Sequence, residues 1–206
     1  MIKLRLPLGI YAANCYILGC PETKKACVID PGGDHEKILE ALKTHDLTLD
    51  VIVLTHGHMD HIGGLADLAK ATGAEVAIHE DDKEMLEDPR LNLSGSMGGG
   101  IAIQADRLLK DGDKVQFGNI RLKVIHTPGH TKGSICLKVH EDLFTGDTLF
   151  LRSVGRTDLA GGDQNALMQS IKKKLYKLSD DTIVYPGHGP ESSIGFEKKS
   201  NMVIRA

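Results

Sequence analysis

The chain has 206 residues, of which 41% are hydrophobic and 26% are charged, and its formal net charge is −3 at pH 7. At roughly 150 residues per domain, this length predicts one domain over residues 1–206, and the apolar fraction excludes extensive disorder. The 25 Lys and Arg residues are balanced by 28 Asp and Glu residues, so no surplus of positive charge is present to attract nucleic acid. We therefore expect a soluble globular protein without a nucleic-acid partner.

The sequence predicts neither a targeting segment nor a membrane span. Apolar residues alternate with other residues over positions 2–8, which is typical of a strand and not of a signal peptide. No stretch approaches the roughly 18 to 20 apolar residues that cross a bilayer. The four cysteines form no CxxC pair and lie in or near apolar runs, which predicts reduced, buried thiols; they are Cys15, Cys20, Cys27 and Cys136. We expect a cytoplasmic protein that does not bind membranes.

In the first half of the chain, short strands alternate with helices. Period-two patterns and apolar runs predict strands at 2–8, 15–18, 26–29, 51–54 and 75–78. Helical spacing predicts helices at 34–45, 62–71 and 81–87, with Asp34 as the N-cap of the first and Gly73 ending the second. The glycine-rich residues 94–100 are interpreted either as a mobile loop over a site or as a plain linker.

The second half repeats this alternation. Strands are predicted at 114–117, 120–126, 134–139, 142–145 and 182–185, and an amphipathic helix is predicted at 165–178. Two series of strands, each accompanied by helices, indicate two similar halves with the sheets inside and the helices outside. No convincing internal repeat is visible in the sequence, so this symmetry is an inference from the order of the elements.

The segment with the clearest chemistry is residues 55–61, Thr-His-Gly-His-Met-Asp-His, directly after the apolar run 51–54. Three histidines and an aspartate are costly to place at the end of a buried strand unless they have a partner. Neutral imidazole and carboxylate are ligands of zinc, iron and manganese. An extended loop lets His56 and His58 point at one ion, while Asp60 and His61 can point at a second. The segment therefore predicts a metal site and not a set of capping or surface histidines.

Three further side chains complete this site. His130, Asp147 and His188 each lie at the end of a strand run, in a turn that contains glycine. A carboxylate has two oxygens, so Asp147 can bridge two ions together with a water. The predicted ligands are then His56, His58 and His130 for one ion and Asp60, His61 and His188 for the other, and each ion keeps an open position. The predicted catalytic residues are Asp60 and Asp147.

The ligand pattern resembles the metallo-β-lactamase superfamily, whose HxHxDH motif, distant His, distant Asp and final His all occur here in order. The resemblance covers nearly the whole chain and implies an α/β fold, a four-layer αβ/βα sandwich with the metals at one edge. Residues 127–131 (TPGHT), 153–158 (SVGRTD) and 184–190 (VYPGHGP) look like the glyoxalase II, or hydroxyacylglutathione hydrolase, group. The closest match is the short bacterial form, which lacks the C-terminal helical domain that contributes much of the glutathione-binding surface; about 18 residues follow His188 here.

The resemblance implies hydrolysis of a small-molecule acyl-thioester such as S-lactoylglutathione. Two divalent ions that share a water lower its pKa toward neutrality, so the expected nucleophile is a metal-bridging hydroxide. The expected cofactors are two divalent metal ions, zinc first, with iron or manganese as alternatives. The same motifs also resemble those of persulfide dioxygenases. In this second interpretation, one iron is held by His56, His130 and Asp147. Lactonases and lactamases share this ligand set and stay open as alternatives. The alternative that is not an enzyme is a metal-binding module without turnover.

The remaining histidines, one arginine and two lysines are first interpreted as residues that do not bind metal. His35, His45, His79 and His140 are expected to be solvated, because they lie next to charged residues or in turns. His126 precedes Thr-Pro at a strand end, where it is either solvated or orients a ligand from behind. Arg156 is expected to hold its loop, with contact to an anionic substrate as the alternative. Lys198 and Lys199 are expected to form a solvated helix face, or else to assist an acidic substrate.

Overall fold

The computed structural model describes residues 1–97 and 100–205. The first of two six-stranded sheets contains, in spatial order, β1 (Ile2–Leu8), β2 (Ala13–Gly19), β3 (Lys25–Ile29), β4 (Thr48–Val53), β5 (Glu75–His79) and β6 (Arg107–Leu109). The strands β1 to β3 form an antiparallel meander, and β3 to β6 pair in parallel. Parallel neighbours require crossover connections, which the helices after β3 and β4 provide.

The remaining strands are β7 (Lys114–Phe117), β8 (Ile120–His126), β9 (Ile135–Val139), β10 (Asp142–Gly146), β11 (Leu149–Phe150), β12 (Ser153–Val154), β13 (Ile183–Pro186) and β14 (Ser192–Ser193). The second sheet has the order β14-β13-β10-β9-β8-β7, and β11 and β12 form a separate two-stranded ladder. Only β10 and β13 pair in parallel within the second sheet. The α-helices are α1 (His35–Thr44), α2 (Met59–Ile62), α3 (Leu65–Thr72), α4 (Lys83–Glu87), α5 (Gln164–Lys173) and α6 (Ile194–Ser200).

The two sheets pack against each other, and helices cover their outer faces. Alternate side chains of β2 show this directly. Cys15 and Ile17 join a core cluster with α1 and α3, whereas Tyr16 and Leu18 face the second sheet and join a cluster that includes Phe117. Because successive side chains of a strand point to opposite faces, a strand buried on both faces reads as a continuous apolar run. A third cluster packs α5 and α6 on the outer face of the second sheet. The expected four-layer αβ/βα sandwich is confirmed.

Several predicted boundaries were wrong. The helix predicted at 62–71 is divided into α2 and α3 by Gly63 and Gly64, where the Gly64 amide donates to the carbonyl of Pro31 instead of continuing one helix. Asp34 has a left-handed backbone and makes no side-chain capping bond; its carboxylate accepts from the Gly9 amide. The helix predicted at 165–178 ends at Lys173, after which the chain tightens into a 3₁₀ turn.

Short elements at the edges were not predicted at all. The strands β6, β11, β12 and β14 have two or three residues each, too few for a period-two pattern to be recognised. No range was predicted for α6, although Lys198 and Lys199, which lie on it, were expected to form a helix face. In the glycine-rich segment 94–100, Ser94–Met97 forms a 3₁₀ turn, and residues 98 and 99 lie outside the described residues. Asn92 anchors this segment because its side-chain amide donates to the carbonyls of Met85 and Ile101.

The cysteines agree with the prediction. All four are buried, and none forms a disulfide. Over the part of the chain that the structure describes, every helix is too short or too polar to traverse a bilayer.

Candidate metal centre

The seven predicted ligands lie together at one edge of the sandwich. His56 and His58 occupy the loop after β4, and Asp60 and His61 lie on α2, which follows that loop. The other three follow strands of the second sheet: His130 follows β8, Asp147 follows β10 and His188 follows β13. The parallel strands β10 and β13 end side by side, so their following residues emerge at the same edge. The structure thus brings together all seven side chains that the sequence singled out.

His56, His58 and His130 form the first group, and all three are buried. One nitrogen from each ring lies within 4.8 Å of one nitrogen from each of the others. The closest pair is Nδ1 of His58 and Nε2 of His130, which are 2.9 Å apart. Burial lowers the pKa of His58 to about 4 and lowers that of His56 well below its usual value. Neutral imidazole is the form that binds a metal ion, so the environment favours ligation.

Asp60, His61 and His188 form the second group. Oδ2 of Asp60 lies 3.1 Å from Nε2 of His188 and 3.7 Å from Nε2 of His61. His61 is fully buried, whereas His188 and Asp60 are half-buried at the edge of a cleft.

Asp147 lies between the two groups. Its Oδ1 is 3.4 Å from Nε2 of His61, and its Oδ2 is 3.6 Å from Nε2 of His130 and 3.7 Å from Nε2 of His188. One carboxylate therefore faces both sets of nitrogens, which is the position that a bridging ligand requires.

Unsatisfied polar atoms at this edge test whether metal ions fit. Four buried side-chain atoms have no hydrogen-bond partner, namely Nε2 of His56, His58 and His61 and Oδ1 of Asp147. A buried polar atom without a partner costs about 1–3 kcal/mol, so four of them in one cluster need an explanation. All belong to residue types that ligate divalent transition metals. The donor set fits two metal ions, which would supply the missing partners.

Asp30 lies in the site but was not singled out from the sequence, where it falls between the predicted strand at 26–29 and the predicted helix at 34–45. Its buried carboxylate lies 2.9 Å from Nδ1 of His61, and it accepts hydrogen bonds from the amide and the hydroxyl of Thr55. A carboxylate at this nitrogen holds the proton on Nδ1, so Nε2 of His61 keeps its lone pair toward the centre. The available signal was an acidic residue at the end of an apolar strand.

Asp82 was also missed. It is buried, and it accepts hydrogen bonds from the Gly57 amide at 3.2 Å, the Thr131 hydroxyl at 2.7 Å and the Gly133 amide at 2.7 Å. Burial raises the pKa of Asp82. The carboxylate ties together the loop of His56 and His58 and the loop of His130, because its three donors come from those two segments. In the sequence, Asp82 looks like one of several acidic residues at the start of a helix.

Asn14 and Tyr16 hold the loop that carries His188. The side-chain amide of Asn14 donates to the carbonyls of Pro186 and Gly189, and the Tyr16 hydroxyl donates to the same Pro186 carbonyl. Both residues lie on β2 of the first sheet, whereas His188 follows β13 of the second sheet. The two halves of the sandwich are thus joined beside the candidate centre.

Two glycines allow close packing at Asp147. A Cβ at Gly155 would lie 1.7 Å from the backbone oxygen of Asp147, and a Cβ at Gly187 would lie 2.3 Å from its Oδ1. Any other residue at either position would displace Asp147, so glycine is required here for space and not for flexibility.

Residues 8–188 match the metallo-beta-lactamase superfamily. The chain belongs to the metallo-β-lactamase superfamily. A curated relative named hydroxyacylglutathione hydrolase GloC, from Haemophilus influenzae, is 37% identical over 98% of this chain and 97% of its own length.

Solved structures show the same relationship. The crystal structure of BLEG-1 B3 metallo-beta-lactamase is 39% identical, with a TM-score of 0.92, over 98% of this chain and 100% of that chain. TTHA1623 in a di-iron-bound form is 34% identical, with a TM-score of 0.85, and covers 98% of this chain and 100% of its own. Members of one superfamily with this fold thus carry names of different activities.

Among the remaining histidines of this metallo-β-lactamase chain, His45 and His140 are exposed as expected, and His35 is half-buried beside Glu36. The prediction for His79 was wrong. Its ring is buried and stacks on that of His126 with the centroids 3.9 Å apart, because β5 and β8 bring the two rings together below the loop of His130. Nε2 of His126 lies 2.8 Å from the Lys132 carbonyl oxygen, and His126 makes no hydrogen bond, ion pair or ring contact with any of the seven ligands.

Arg156 contributes to the centre through its backbone. Nδ1 of His130 lies 2.7 Å from the Arg156 carbonyl oxygen, which directs Nε2 of His130 toward the centre. The guanidinium forms two bonds of 2.7 Å to Asp158 instead. Lys198 is paired with Asp180 and donates to the Leu178 carbonyl, and Lys199 is exposed. Neither lysine is among the described residues that line the cleft over the centre.

Proposed function

We propose that the chain is a metal-dependent hydrolase of acyl-thioesters, related in activity to hydroxyacylglutathione hydrolase. The observation that carries this proposal is the presence of two complete three-residue groups with Asp147 between them. A site that can hold two divalent ions with a carboxylate between them would be suited to hydrolysis. We assign the ligands as His56, His58 and His130 for one ion and Asp60, His61 and His188 for the other, with Asp147 bridging.

When bound, the two ions would supply an activated water for attack and positive charge for the oxyanion that develops on the substrate carbonyl. The chain's own residues hold the donor atoms in place. Asp30 fixes the ring of His61, and the Arg156 carbonyl fixes the ring of His130. Asp82, Asn14 and Tyr16 hold the loops that carry the ligands. These fixed positions reduce the reorganisation that the reaction requires.

A thioester suits this site better than an amide. A thiol has a pKa of roughly 8.5, so it leaves as a thiolate with little need for a proton donor. The carboxylates at the centre, Asp60 and Asp147, are both directed at histidines and are not arranged as free acids. The name of the Haemophilus influenzae relative, hydroxyacylglutathione hydrolase, supports the thioester class.

Zinc is the metal that we propose, with iron or manganese as alternatives, because His-rich sites with carboxylates accept all three. The di-iron form of TTHA1623 keeps iron under consideration. We also propose the cytoplasm as the compartment, since the four cysteines are free.

The second candidate, a persulfide dioxygenase with one iron held by His56, His130 and Asp147, leaves the complete group of Asp60, His61 and His188 without a role. The candidates are distinguished by replacing His188, which belongs only to the second group. His45→Ala is the matched control, because His45 is an exposed histidine outside the site.

For the thioesterase, elemental analysis should find two ions per chain, and His188→Ala should lower that number and reduce thioester hydrolysis at least 100-fold, while His45→Ala changes neither. One iron per chain, oxygen uptake with a persulfide and a rate that His188→Ala leaves unchanged would overturn the proposal in favour of the dioxygenase.

A further inference from the structure

The cleft over the candidate centre encloses about 740 Å³, a volume suited to a small organic molecule. The predicted ligands Asp60, His58, His130, Asp147 and His188 form part of its lining. Most of the remaining lining is apolar and comes from four separate parts of the chain. We call these residues the apolar wall: Tyr11, Met59, Leu93, Phe150, Val154 and Leu159.

The apolar wall is exposed to solvent, in contrast to the core. Phe117 and Phe144 are completely buried, whereas Tyr11 is 55% exposed and the other five residues of the wall are half-buried. Ile10, next to Tyr11 at the tip of the β1–β2 hairpin, is 75% exposed. Apolar surface that is concentrated around one concave site is typical of a binding site, since a ligand that covers it removes that surface from water.

Charge in the cleft points to the same type of ligand. Among the described lining residues, Arg156 is the only lysine or arginine, and its guanidinium already makes two bonds of 2.7 Å to Asp158. Glutathione carries two carboxylates and an ammonium group, which require charged or hydrogen-bonding partners when they are taken out of water. Among the described residues of the lining, the hydroxyls of Ser153 and Tyr11 are the other side-chain polar groups besides Arg156 and the predicted ligands. The lining therefore matches an uncharged group much better than a zwitterionic tripeptide.

We propose that the cleft selects thioesters whose thiol half is an uncharged aliphatic or aromatic group, over thioesters of glutathione. This inference rests on the proposed thioesterase function and specifies its substrate class. The apolar wall contacts the thiol half, and the Arg156–Asp158 pair, which is neutral as a unit, gives no net attraction to a carboxylate.

The experiment compares one acyl group on three thiols, using the metal-loaded enzyme. The thiols are phenylmethanethiol, which is apolar, glutathione, and 3-mercaptopropionate, which is small and anionic. We expect kcat/KM for the phenylmethanethiol ester to exceed that for the glutathione ester at least tenfold. A glutathione ester that is preferred or equally good would overturn the inference while leaving the thioesterase proposal intact. If none of the three esters is hydrolysed, both proposals fail.

A substitution in the apolar wall tests whether the wall recognises the thiol half. Tyr11→Ala removes the most exposed side chain of the apolar wall, so it is compatible with folding. It should raise KM for the phenylmethanethiol ester about threefold to tenfold and raise KM for the glutathione ester by a smaller factor. Phe196→Ala is the matched control, since Phe196 is an exposed aromatic residue outside the cleft. Equal effects of Tyr11→Ala on both esters would contradict a wall that recognises apolar groups.

Asp158→Ala tests whether the ion pair with Asp158 prevents Arg156 from attracting an anionic thiol half. Asp158 is exposed, and its removal frees the guanidinium of Arg156 at the cleft. We expect kcat/KM for the 3-mercaptopropionate ester to rise about twofold to fivefold, with an increase that added salt suppresses, and no change for the phenylmethanethiol ester. No gain for the anionic ester would show that pairing with Asp158 is not what prevents Arg156 from binding carboxylates, and would overturn that part of the inference.

Discussion

Replacing Asp82 with alanine should destabilise the protein and weaken metal binding together, because this carboxylate accepts hydrogen bonds from both ligand-bearing loops. The variant leaves three buried donors without their acceptor: the Gly57 amide, the Gly133 amide and the Thr131 hydroxyl. The hydroxyl can turn to the Ser134 hydroxyl oxygen, 2.7 Å away, but the two amides have no such alternative acceptor. Each unsatisfied buried amide costs about 1–3 kcal/mol. After allowance for relief of the buried charge, we expect a loss of about 2–4 kcal/mol in the free energy of unfolding.

Asp82→Asn should have a smaller effect. Its oxygen can still accept from the Gly133 amide, and its NH₂ group can donate to the Thr131 hydroxyl, which then donates to Ser134. Only the Gly57 amide loses its acceptor, at a cost of about 1–2 kcal/mol. The affinity for metal should fall in the same order, by about 10 to 100-fold for alanine, as is typical when a partner that orients metal ligands is lost.

Urea unfolding of the metal-free protein measures the stability, and competition with a chelator measures the affinity for metal. Asp81→Ala is the control, because the neighbouring carboxylate is 52% exposed and should contribute less than about 0.5 kcal/mol. The reasoning is refuted if Asp82→Ala unfolds at the same urea concentration as the unchanged chain and binds metal equally well. A loss of stability with unchanged metal affinity would show that Asp82 does not position the ligands.

Three other predictions address the centre. Removal of metal with a chelator should lower the unfolding temperature by several degrees in calorimetry, reversibly on adding metal back, because four buried donor atoms lose their partners; an unchanged temperature argues against metal at this site. Asp147→Ala should abolish both metal binding and turnover, whereas His126→Ala, whose ring is bonded to the Lys132 carbonyl and not to a ligand, should reduce the rate by less than the roughly 10-fold to 100-fold that is typical of a residue orienting a ligand; a nearly normal rate for Asp147→Ala would exclude a bridging role. Asn14→Ala should cost about 1–3 kcal/mol in urea unfolding and reduce turnover severalfold, since the His188 loop loses two hydrogen bonds; undiminished turnover would separate Asn14 from the site.

The sequence by itself determined the strands of the two six-stranded sheets except β6 and β14, most of the helices and all seven candidate ligands. The strands could be predicted because period-two patterns and apolar runs depend on burial of near neighbours, as in β2 and β8. The candidate ligands could be predicted because histidine and aspartate at the ends of apolar strands are chemically unusual there. The resemblance to the superfamily then supplied the four-layer fold, which the two core faces of β2 confirm.

Only the tertiary structure revealed the residues that hold those ligands. Asn14 donates to a carbonyl 172 positions away, and Asp82 reaches an amide 51 positions away. In the sequence, these residues are an ordinary asparagine just before a predicted strand and an ordinary aspartate in a predicted helix. Likewise, His79 looks solvated among its acidic neighbours, yet it is buried against His126. Local patterns report the environment of adjacent residues, whereas these contacts depend on which strands the topology brings to one edge. The same holds for the apolar wall, since four separate segments contribute to it and none of them shows a pattern of its own.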